Sequence, residues 1–76
     1  MKKYRIILVT DIAFNALKTD FQAMSDSLAI SFTRYVVESF KPVNWLKSAN
    51  TYVIDEEDSG LLLEKIVTIL PNGQEA

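Results

Sequence analysis

Residues 12–40 read IAFNALKTDFQAMSDSLAISFTRYVVESF, and the way this stretch folds decides the architecture. Phe14, Leu17, Phe21, Met24, Leu28, Phe32, Tyr35 and Val36 recur at spacings of three and four, the mark of one apolar stripe along a helix. The spacing predicts a long helix over about 12–40. Pro42 ends it, because its ring disfavours helical geometry at Lys41 and it has no amide hydrogen to donate. Such a helix would be about 43 Å long at 1.5 Å per residue, large for a small domain. Ser25-Asp26-Ser27 is where it would break, since three side chains that compete for backbone hydrogen bonds sit together there. Ile30 to Val37 also carries β-branched and aromatic residues that suit a strand, but the three-four spacing persists through it and favours helix.

On the N-terminal side, Tyr4 to Val9 is a short apolar run interrupted only by Arg5, which predicts a strand over about 4–10, covered on both faces or central in a sheet. Asp11, or Thr10 before it, is placed to cap the helix that follows. On the C-terminal side, Val43-Asn44-Trp45-Leu46 and Thr51-Tyr52-Val53-Ile54 flank the polar Lys47-Ser48-Ala49-Asn50, predicting a strand pair over about 43–54; one long bulged strand is the alternative. The acids Asp55-Glu56-Glu57-Asp58 stand before Leu62, Leu63, Ile66, Ile69 and Leu70, as acids do at a helix start, which predicts a second helix over about 58–70. Pro71-Asn72-Gly73 stops it, and residues 71–76 are expected to fray. The order strand, helix, strand pair, helix predicts an α+β fold. It is the ferredoxin-like βαββα plan with its closing strand missing, a long first helix packed on a small sheet. A βαβα unit with a two-stranded core and a mostly helical hairpin are the competing architectures.

Composition narrows the chemistry. Seventy-six residues make one domain, near the size at which only roughly 60% of the unfolded surface is buried. Eight Lys and Arg against ten Asp and Glu give a net charge of −2, which offers no global attraction to nucleic acid or to an anionic membrane. With no Cys and no His, the thiol nucleophile, the usual general base and the commonest metal ligands are missing. The apolar run Ile6 to Val9 is too short for a signal peptide or a membrane span, so a cytoplasmic location is expected. Lys2, Lys3 and Arg5 read as guards along an exposed strand edge rather than as phosphate contacts. Trp45, Tyr52 and Tyr4 read as an aromatic core or dimer contact rather than a base-stacking platform, with Trp45 and Tyr52 on the apolar side of the strand pair. The acidic run lacks the ligand spacing of a calcium loop.

Asp11 is the one acid placed for chemistry. Directly after a buried strand, a carboxylate can bind a divalent metal that activates water, although helix capping is the favoured reading of it. The first strand ending in Asp11, together with Trp45 to Ile54 followed by acids, Ser59 and a Leu/Ile run, resembles the small ferredoxin-like nucleases over about half the chain. These include the CRISPR-associated spacer-acquisition subunit and the virulence-associated protein D ribonuclease. The resemblance implies a homodimer with Asp11 as a metal ligand for Mg or Mn at its axis.

Two functional classes follow. The favoured one is a small soluble non-enzymatic interaction or regulatory module, of a kind mobile elements encode, that needs no cofactor, self-associates and binds another protein. Its expected interaction residues are Tyr4, Ile6, Leu8, Phe21, Met24, Leu28, Phe32 and Tyr35. A homodimer is expected through the unpaired edge of the first strand, the long helix, or both. The alternative is a diverged metal-dependent nuclease using Asp11 paired across a dimer.

Overall fold

The computed structural model describes residues 1–11, 17–40 and 45–76. Their elements run β1 (Lys2–Thr10), β2 (Leu17–Ala23), α1 (Asp26–Ser39), β3 (Leu46–Ile54) and β4 (Leu62–Ile69). The four strands form one antiparallel sheet in the order β2-β1-β3-β4, with α1 packed on one face. The α+β class is as expected. The element order is ββαββ rather than βαββα, and β1 lies inside the sheet, paired on both sides, instead of at an exposed edge.

β1 alternates strictly: Tyr4, Ile6 and Leu8 are buried beneath α1, while Arg5 and Ile7 point to the opposite face. The largest correction concerns residues 17–23, which are a strand and not the front half of a helix. Leu17, Thr19 and Phe21 oppose Leu8, Ile6 and Tyr4, whereas Lys18, Asp20 and Gln22 oppose Ile7, Arg5 and Lys3. Two faces of different polarity therefore alternate with the period of a strand. Pairing with β1 removes an unpaired row of amides and carbonyls from the most apolar strand, which a helix over the same residues could not do.

The helix begins where the polar triplet predicted a break. Ser25 is extended and its hydroxyl accepts the Leu28 amide at 3.3 Å, and Asp26 in the first turn favours the positive end of the dipole. Ala29, Thr33 and Val37, four residues apart, form the buried stripe. The helix ends at Ser39 with Phe40 as its cap; Pro42, expected to end it, lies outside the described residues, as do Phe14 and the start of the expected strand pair at 43–44.

β3 is a single strand, with register shifts against β1 at Val9/Thr10 and against β4 at Thr51/Tyr52 and Val53/Ile54, so the bulged-strand alternative holds. The expected second helix is β4, and the acids before it form a turn: the Asp55 carboxylate accepts the amides of Glu57 and Asp58 at 2.8 and 2.9 Å, and that of Asp58 accepts Gly60 at 3.0 Å. Residues 71–76 are not frayed either. Gly73, at φ +89°, turns the chain so that Glu75 bridges to Ile69 and the Ala76 amide reaches the Thr68 carbonyl at 2.9 Å.

Ile6, Leu8, Val37, Leu46, Ala49, Val67 and Ile69 form the core between helix and sheet, with Phe21, Ile30, Val36, Phe40, Trp45 and Ile66 packed around it. Trp45 meets Phe40 edge-on at 5.5 Å, as its apolar placement required. Tyr52 does not join it. It opposes Arg5 on the face turned away from α1.

Candidate interaction surface

α1 packs mainly on β3 and β4 and less closely on β2, with the small Ala29 and Thr33 and Val37 as its buried stripe. The neighbouring helix positions Leu28 and Tyr35 stay more than half exposed, while Phe32 leans on Phe21 of β2. Met24 is 76% exposed, Tyr35 67% and Leu28 55%. An aromatic ladder carries this strip from core to solvent: Tyr4 stacks on Phe21 at 5.3 Å between centroids, Phe21 meets Phe32 at 4.7 Å, and Phe32 meets Tyr35 at 6.4 Å. Beside it Met1, Phe21, Ala23, Met24, Leu28 and Phe32 line an open groove of about 340 Å³.

Of the eight residues expected to make contacts, Phe21, Met24, Leu28, Phe32 and Tyr35 come together on this surface. Tyr4, Ile6 and Leu8 do not: they are the inner face of β1, at 0%, 1% and 6% exposure, and present nothing to a partner. The part of the surface missed by sequence reasoning is β2 itself, with Leu17 half exposed and Lys18, Thr19, Asp20 and Gln22 exposed. Its signal was the alternation in LKTDFQA, hidden because Leu17, Phe21 and Met24 also fit a helical stripe.

Several surface charges are paired within the chain. Arg5 holds both Asp20 oxygens, at 2.6 and 2.9 Å, and this bond keeps the Asp20 carboxyl below the usual carboxylate range. Lys2 pairs with Asp26 at 3.5 Å, and the Lys3 ammonium donates to the Glu56 carbonyl at 3.3 Å. These cations flank an interior strand, so the edge-guard reading fails. The Tyr4 hydroxyl donates to Asp26 at 2.7 Å, and burial, assisted by that bond and the Asp26 charge, pushes its pKa up to about 12.

Asp11 faces a cation: its carboxylate lies 3.0 Å from the Lys47 ammonium, and its amide donates to the Trp45 carbonyl at 2.9 Å. Among the described residues no three His, Cys, Asp or Glu gather as a metal site. The helix that Asp11 was to cap is absent at 17–23, and residues 12–16 lie outside the described residues. Nor do the three aromatics form a platform, since Tyr4 is under the helix, Tyr52 on the opposite face and Trp45 against Phe40.

Comparison with protein-family models, with curated proteins and with solved structures gave no match for this chain. Its class therefore rests on its own architecture: a small α+β protein with one helix on a four-stranded antiparallel sheet. Among the described residues no helix is long and apolar enough to cross a membrane.

Proposed function

We propose that this protein is a small non-enzymatic interaction module that self-associates and works by docking to another protein through the α1–β2 surface. The observation that carries this reading is the uncovered strip Met24, Leu28, Phe32 and Tyr35 beside the groove, since monomeric proteins seldom leave contiguous apolar patches without a use for them. Sedimentation equilibrium at micromolar concentrations tests it: a mass above 8.6 kDa is expected, and Leu28→Lys should lower it. A monomer at every concentration would overturn the self-association.

The metal-dependent nuclease reading gains nothing from the position of Asp11, which is engaged by Lys47. No cleavage of labelled RNA or DNA is expected with Mg²⁺ or Mn²⁺. Asp11→Asn should leave stability within about 1 kcal/mol, the range of an exposed ion pair. Cleavage that disappears in Asp11→Asn would reverse the choice between the two classes.

A further inference from the structure

The sheet has two outer strands, and they differ. β4 carries two register shifts against β3, and its outer side is engaged at Thr68 and Ile69 by the returning tail. Bulges and covering segments are the ordinary devices that stop an edge from pairing. β2 has neither. Its pairing with β1 runs without a shift from Ala23 to Leu17, and among the described residues nothing pairs with its outer side.

A second copy of this chain is the occupant that β2 fits, because the strand is complementary to itself. When a strand meets its own copy antiparallel about a two-fold axis normal to the sheet, like faces coincide only if the axis passes through a residue position. An axis at Thr19 sets Lys18 opposite the partner's Asp20 and Asp20 opposite the partner's Lys18 on one face, and Leu17 opposite the partner's Phe21 on the other. An axis at Asp20 would bring two carboxylates together. An axis at Phe21 would leave both charges without a complement, Asp20 facing Gln22 and Lys18 facing Met24 beyond the strand. Opposite charges directly across a strand pair stabilise it, and like charges oppose it. Asp20 can serve Arg5 and a second cation together, since each carboxylate oxygen accepts more than one bond.

We infer that two copies join antiparallel through β2 with Thr19 on the two-fold axis, forming a continuous eight-stranded sheet in which Lys18 and Asp20 pair across the junction. Both helices then stand on the same side of that sheet, and the half-exposed Leu17 of each copy meets the partly buried Phe21 of the other at the seam. This rests on the self-association proposed above and specifies its interface.

The chain has no cysteine, so a single Thr19→Cys reports the axis directly. Residues directly opposite have Cα atoms about 4.5–5.5 Å apart, within the disulfide range. Under mild oxidation Thr19→Cys should become a covalent dimer faster than Asp20→Cys or Phe21→Cys, each shown to be folded by circular dichroism. Lys18→Glu, an exposed change that leaves the Arg5–Asp20 bond intact, should weaken wild-type-like association about tenfold, and Lys18→Arg should preserve it. A wild-type dimer that cross-links faster at position 20 or 21, or no faster at 19, overturns this register while leaving self-association standing. A wild-type monomer throughout the micromolar range overturns both.

Discussion

Beneath α1 two hydroxyls sit in the core with no access to water, and a mutant cycle on them tests how helix and sheet are joined. Thr33 and Thr51 are each 0% exposed, and their oxygens are 2.6 Å apart. Thr33 Oγ1 donates to the Ala29 carbonyl at 2.8 Å, so the hydroxyl of Thr51 must be the donor between the two. The pair is therefore asymmetric. Thr33→Val removes the acceptor and strands the Thr51 hydroxyl, which has no other hydrogen bond among the described residues, at a cost of about 1–3 kcal/mol. Thr51→Val leaves Thr33 bonded to Ala29 and loses only one net hydrogen bond, about 0.5–1.5 kcal/mol. The double variant removes both polar groups at nearly constant volume and should return close to wild-type stability. Urea unfolding at one fixed protein concentration measures all three, because any dimer makes stability concentration-dependent. In thermal unfolding each 1 kcal/mol corresponds to about 4–8 °C for a chain of this size. Single effects that add in the double variant to within about 0.5 kcal/mol would refute the coupling, and a larger loss in Thr51→Val than in Thr33→Val would refute the donor assignment.

Two further outcomes follow from single residues. The Tyr4 pKa is about 12 in the folded chain against an ordinary 10.0, so the folded state favours the neutral phenol. Its contribution is fully present below pH 10.0 and is lost as pH rises through about 12. Tyr4→Phe should flatten that alkaline loss in thermal melts, and an unchanged slope would contradict the burial of Tyr4 and its part-buried bond to Asp26. Gly73→Ala should cost about 1–2 kcal/mol from backbone strain alone, since φ is +89° and a Cβ there meets nothing within 4 Å. A loss below about 0.5 kcal/mol in urea unfolding would show that the tail turn relaxes into another shape.

The first strand and the α+β class were legible in the sequence, and the polar triplet at Ser25 was read as a break within a longer helix where the structure begins one. Residues 17–23 had two competing readings. Leu17, Phe21 and Met24 fit a helix, Leu17, Thr19, Phe21 and Ala23 fit a strand face, and the choice was made by β1, which needs a neighbour on that side. β4 was obscured differently: register shifts break its alternation, so Leu62, Leu63, Ile66 and Ile69 mimic helical spacing even though Ile66 to Ile69 is β-branched throughout. The acids before it were read by charge, but their side-chain oxygens cap a turn. Of the surface, the helix half was legible from its stripe and the β2 half was not, since exposure at an edge depends on sheet order, which no local pattern encodes.

The central position of β1 bears on how the chain folds. Its pairing with β2 joins neighbours in sequence, and such hairpins form in about 1–10 μs. Pairing with β3 instead brings Tyr4 to Val53, a contact that closes a far longer loop and carries a larger entropy cost. A β1–β2 ribbon alone would carry Tyr4, Ile6 and Leu8 in water on one face and a row of amides unpaired within the chain along the side that β3 takes. Topology therefore predicts that closure of this distant contact is slower than the hairpin, and a β1–β2 ribbon formed first would be open to capture by another chain. Refolding yield should accordingly fall as protein concentration rises, even where the native protein remains in solution.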